Sequence, residues 1–146
     1  GTTVILKKAS EINSIPANSK VIVGFHKDNS TAYKPYKISD SSKKILSDLS
    51  KNKTVILDVF GSPYALKDID ISKVSTVLVS YENNDDAMKA TASGLLGQTK
   101  IWGRLPVLVN DNLKFGIGMD VDAKITTNQT DRKNSSETKN SKTVIE

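Results

Sequence analysis

The chain contains no cysteine, which rules out both a disulfide framework and a thiolate metal site. Histidine occurs once, as His26, so any imidazole-based metal site or Ser-His-Asp triad would have to be built around that one residue. No apolar run approaches the roughly 20 residues that cross a bilayer, and no signal peptide is recognisable; the compartment is left open. The nucleotide and hydrolase fingerprints are missing too. Gly94, Gly97 and Gly103 follow a helical pattern rather than open one and lack the G-x-G-x-x-G spacing, Gly116-Ile117-Gly118 reads as a turn, and Ser62 in Gly-Ser-Pro is not a G-x-S-x-G nucleophile elbow.

What is present is organised around residues 53–103. Residues 54–60 place Val55, Ile56, Leu57, Val59 and Phe60 almost continuously, the composition of a strand buried on both faces. Asp58 alone interrupts it. Burying a carboxylate without a partner is expensive, so Asp58 is expected at an outward-facing sheet margin or capping a neighbouring loop. Gly61-Ser62-Pro63 stops the ladder. Residues 76–80 form a second short apolar strand ending at Tyr81-Glu82-Asn83-Asn84. Asn83 or Asn84 caps the helix that follows, and Asp85 and Asp86 place negative charge in its first turn, where exposed amides and the macrodipole favour it. Met88, Thr91, Ala92, Leu95 and Leu96 recur at helical spacing as an apolar stripe, small residues keep this helix thin, and Gly97 is placed to end it.

The flanking chain extends the alternation. Residues 3–6 (TVIL) and 20–25 (KVIVGF) read as strands, and residues 38–49 read as a helix capped by Ser39 or Asp40. Ile45, Leu46 and Leu49 form its inward stripe, while Lys43, Lys44 and Asp48 face water. Residues 105–109 (LPVLV) read as a last strand, placed by Pro106 at an edge or a strand start. From residue 120 to 146 the composition turns to Thr, Asn, Ser and Lys, which cannot offset the entropy of ordering. The expected organisation is therefore a folded domain over residues 1–119 and a polar linker or tail over 120–146. Because the sequence opens on Gly1 and runs directly into strand-like residues, a further N-terminal portion is expected.

The net charge is +5. Beyond Met119 the basic residues Lys124, Arg132, Lys133, Lys139 and Lys142 balance Asp120, Asp122, Asp131, Glu137 and Glu146, so the excess sits on the body. Its lysines lack the interleaved arginines and stacking aromatics of a nucleic-acid surface, and the reading is a solvated face. No nucleic-acid partner is expected.

Strand, helix, strand, short crossover, strand, helix, strand is the order of an α/β domain with right-handed parallel units. The expected fold class is α/β: a three-layer sandwich with a mostly parallel sheet of about five to six strands and helices on both faces. In such sheets ligands gather at the carboxyl ends of the strands. The candidate substrate-binding residues are accordingly His26 and Asp28, after one strand, and Tyr81 and Glu82, after another.

The run VILDVFGSPYAL, the strand ending in SYENND, the alanine-rich helix closing in GLLG, and then WGRLPVLV and FGIGM together resemble the C-terminal α/β domain of glycoside hydrolase family 3. The match is closer to the β-N-acetylglucosaminidase branch than to the β-glucosidases, and spans about residues 2–119. In the β-glucosidase branch this domain lends a catalytic glutamate from a loop with a Glu-Gly-x-Asp-Arg type signature. Here the corresponding FHKDNSTAYKPYK loop has no glutamate. The resemblance therefore implies a domain without catalytic residues, with the nucleophilic aspartate and the acid/base histidine on an N-terminal (β/α)8 barrel of the same polypeptide. That barrel would act on amino-sugar glycans, no cofactor or metal would be required, and a serine-hydrolase-like domain could follow. The alternative is a stand-alone carbohydrate-binding or small-molecule-binding α/β module.

Overall fold

A computed structural model of the chain describes residues 9–27 and 36–124. Three parallel strands, β1 (Lys20–His26), β2 (Thr54–Phe60) and β3 (Thr76–Val79), stand in the order β1-β2-β3. Helix α1 (Asp40–Leu49) lies between β1 and β2, a 3₁₀ turn (Pro63–Asp68) between β2 and β3, and helix α2 (Asp85–Leu95) after β3; a further 3₁₀ turn (Ala9–Ser14) precedes the sheet. The coarse class is α/β.

Alternation along the strands sorts the side chains into two faces. Register sets Val21 beside Val55, Val23 beside Leu57, Phe25 beside Val59, and Val77 and Val79 on the far side of Leu57 and Val59. These residues form one continuous apolar face. Right-handed crossovers that step in the same direction across a sheet must lie on the same side of it. Leu46 and Leu49 of α1 and Ala65 and Leu66 of the 3₁₀ turn accordingly join this one cluster, with Ile15, Ile38, Ile69, Leu105 and Val109. The opposite face carries Ile22, Gly24 and His26 on β1, Ile56, Asp58 and Phe60 on β2, and Leu78 on β3. It is closed only in part: Asp58 is 1% exposed, yet Ile22 keeps 59% of its surface in water.

Local signals fix the helix ends. The Ser39 side chain accepts from Ser42 N–H and starts α1, and Asn84 Oδ1 accepts from Ala87 N–H at 2.9 Å and starts α2. Ser62 opens the 3₁₀ turn, with Pro63 at a first position where no N–H is needed. Gly97, at φ +73°, ends α2 in the left-handed region, its N–H bonded to Gly94 O at 2.9 Å and that of Gln98 to Ser93 O at 2.8 Å.

Three expectations change. Residues 105–109 form no strand, because their backbone groups pair locally: Leu105 N–H donates to Ile117 O and Leu105 O accepts from Gly116 N–H, both at 2.8 Å, and Val109 N–H donates to Leu113 O at 2.9 Å. Pro106 has no N–H to offer a ladder. Second, α2 buries only Gly94 fully, while Met88, Thr91 and Leu95 are half-buried and Ala92 and Leu96 exposed. A Cβ on Gly94 would lie 2.8 Å from Ile101, so the helix rests on its thinnest point rather than on a broad stripe. Third, Asp58 is neither at a margin nor outward-facing but in the middle of the central strand. The expected strand over residues 3–6 lies outside the described residues. At the other end, Ile101 and Val121 form an antiparallel bridge and Lys124 N–H bonds Gly97 O, so residues 120–124 close against the body.

The two faces should respond differently to truncation. Leu57→Ala, at a fully buried position, is expected to lower the unfolding free energy by about 2–5 kcal/mol in urea titrations, and Ile22→Ala by under about 1 kcal/mol. Equal losses would contradict the assignment of the faces.

Candidate functional site

The carboxyl ends of the three strands bring two polar clusters onto the partly open face. At the first, His26 ends β1 beside Phe60 of β2. Its ring stacks on the Phe60 ring, centroids 4.6 Å apart and planes within 4°, and its Nδ1 lies 2.9 Å from Asn83 Oδ1. With the amide oxygen accepting, Nδ1 carries the proton. A Cβ on Gly24 would meet His26 Nε2 at 2.9 Å, so the ring can fold back over β1 only because residue 24 has no side chain. Register sets Gly24 beside Asp58, which brings the imidazole toward the second cluster.

There, Ser80 Oγ donates to Asp58 Oδ1 at 2.8 Å and also lies 2.5 Å from Thr91 Oγ1 of α2. Since the Ser80 proton is committed to Asp58, the Thr91 hydroxyl donates to Ser80. Asp58 Oδ2 is buried with no hydrogen-bond partner among the described residues. Burial pushes the Asp58 carboxyl above its ordinary value, against the weaker opposing pull of the Ser80 and Thr91 hydroxyls and of His26. A half-paired carboxylate in such a position favours its neutral form.

Between the clusters the chain turns sharply. Tyr81, at φ +61°, bridges Ser80 O and Glu82 N–H, which are 2.6 Å apart, the three-residue geometry of a γ-turn. That conformation is strained for a non-glycine residue. It directs the chain from β3 into the Asn84 cap of α2. Partial burial raises the Tyr81 phenol above its usual value, and Glu82 is exposed.

Of the four candidate residues, His26, Tyr81 and Glu82 lie at this carboxyl edge, and Asp28 is outside the described residues. The polar contact to His26 comes from Asn83, the residue after the two candidates in that loop. Asp58, Ser80 and Thr91 were not among the candidates. Their signal was present: a carboxylate inside an apolar strand needs a donor, and Ser80 is the polar residue ending the neighbouring strand.

Asp58 is the one buried charged residue among those described. No second buried acid accompanies it among the described residues. No group of three or more potential metal ligands occurs among them either, and no helix among them is long and apolar enough to cross a membrane.

A second concavity lies on the outer side of β3. It is a groove of about 550 Å³ between Leu78, Val79 and Ser80, the α2 residues Ala87, Ala90 and Thr91, and residues 99–104. Ser80 and Thr91 thus serve both the buried carboxyl and this groove. On its far side Arg104 pairs with Asp120 at 2.7 Å, and Lys100 with Asp120 at 3.4 Å and Asp122 at 3.3 Å.

No protein-family model matches the chain, and neither the curated proteins nor the solved structures yield a match.

The raised pKa of Asp58 has a defined effect on stability. Between about pH 4, where an unfolded aspartate ionises, and the higher value in the fold, the native state holds the extra proton. Asp58 therefore stabilises the fold below that window and ceases to do so as pH rises through it. Asp58→Asn keeps an acceptor for Ser80 and should flatten this part of the stability-pH curve; an unchanged slope would contradict the raised pKa. Ser80→Ala should cost about 1–3 kcal/mol by leaving the carboxyl without its donor.

Proposed function

We propose that the chain is the non-catalytic C-terminal α/β domain of a family 3 glycoside hydrolase of the β-N-acetylhexosaminidase type, packing on and supporting an N-terminal (β/α)8 barrel of the same polypeptide. On this reading the barrel holds the nucleophile and the acid/base group and cleaves amino-sugar glycans, while this domain stabilises it. On this reading the complete domain is a three-layer sandwich with a mostly parallel sheet of about five to six strands and helices on both faces, to which β1, β2 and β3 belong. A serine-hydrolase-like domain could follow the polar tail.

The supporting observation is the apolar surface of residues 108–119. Phe115 is 76% exposed and Met119 68%, with Leu108 at 61% and Ile117 at 47%. Four large apolar side chains in one short segment, held to the body by the Leu105 and Val109 hydrogen bonds, are more than scattered surface hydrophobics, and such concentrations mark interaction surfaces.

The purified chain is expected to turn over an aryl N-acetylglucosaminide no faster than buffer, and the reading frame upstream of Gly1 is expected to encode the barrel. Phe115→Ser with Met119→Ser should change the stability of the isolated chain by no more than about 0.5 kcal/mol while weakening its association with that barrel. Turnover by this chain alone, or a different fold upstream, would overturn the reading.

A further inference from the structure

We infer that the groove between β3, α2 and residues 99–104 is a binding site for a small, uncharged ring compound with one apolar face and hydroxyl donors on its rim, the chemistry that a neutral pyranoside presents. The groove shares no lining residue with the apolar segment 108–119, so its ligand and that segment's contacts can be tested apart.

Its size and composition are those of a ligand site. About 550 Å³ falls within the usual range for small-molecule pockets, roughly 300–1,000 Å³. Leu78, Ile101 and Trp102 supply apolar and aromatic surface. Trp102 is 70% exposed, an aromatic surface open to a ligand. Ala87 and Ala90 keep the helix wall low, leaving the space open.

The polar groups narrow the class. With Ser80 donating to Asp58 Oδ1, the Thr91 hydroxyl donates to Ser80, so both hydroxyls, which line the groove, keep acceptor capacity for a ligand donor. They read O–H or N–H donors on a ligand. A wholly apolar ring would leave the Thr91 acceptor desolvated and unpaired. A charged ligand finds no uncompensated partner in the wall, because Lys100 and Arg104 are already paired with Asp120 and Asp122. An uncharged ring with an apolar face for the indole and donors for Thr91 satisfies both demands.

Trp102 is the sole tryptophan, so its fluorescence reports on the groove directly. Methyl β-glucopyranoside and N-acetylglucosamine are the neutral probes, glucuronate and glucosamine the charged ones, and uridine tests whether a nucleoside meets the same demand. The expected result is a saturable change in Trp102 emission with a neutral probe, at least tenfold weaker for its charged counterparts, with amide shifts in the full chain confined to residues 78–80, 87–91 and 99–104. Ala90→Leu, at an exposed helical position that tolerates leucine, should abolish the response by filling the groove, and Thr91→Val should weaken it roughly three- to tenfold. Preference for uridine would support the site and assign it to nucleosides. No saturable response to any neutral probe up to about 100 mM, equal binding of charged and neutral sugars, or full binding by Ala90→Leu would overturn the inference. Loss of the sugar response alone would leave the supporting role proposed above standing, since that role is read from barrel association.

Discussion

Two-sided burial of β2 is the constraint from which the rest of this fold follows. It is the only strand with a neighbour on each side among the described residues, and its residues from Leu57 to Phe60 are all buried. Over that run water reaches neither face, so each residue must be satisfied by the protein. Val55, Leu57 and Val59 meet that condition by packing against α1 and the 3₁₀ turn. Asp58 meets it only in part, through Ser80, and that partial solution ties β2, β3 and α2 together by one line of hydroxyls.

The two faces of the sheet are consequently unequal. One is sealed by the crossovers that right-handedness sends to the same side. The other carries the polar chemistry and keeps surface in water at Ile22, Gly24 and His26. His26 covers a little of that surface by lying on Phe60 and against Gly24, an arrangement in which ring, phenyl and bare glycine depend on one another.

Much of this was legible in the residues. The continuous apolar run marked β2 and its two-sided burial, and residues 54–60 hold the strand as expected. The Ser39 and Asn84 caps and the Gly97 stop were each one of the options written in the chain, because capping needs a short acceptor side chain and the stop needs a residue that tolerates positive φ. Where the reading failed, a non-local partner decided. Residues 105–109 have strand composition, but residues 113–117 reach their backbone first. Asp58 was placed outward because a lone carboxylate in an apolar strand is costly; the compensating donor sits 22 residues away. The Asn83 contact to His26 spans 57 residues, and the groove needs three separated segments to exist at all. Sequence periodicity carries none of those distances.

Residue-resolved amide hydrogen exchange on the intact chain tests the central claim most directly, because it ranks elements by the free energy of opening. If β2 organises the fold, the amides of Val55, Leu57 and Val59 exchange only through global unfolding, while those of α2, which rests on little more than Gly94, open at clearly lower free energy. Exchange of the β2 amides as fast as those of α2 would contradict the account.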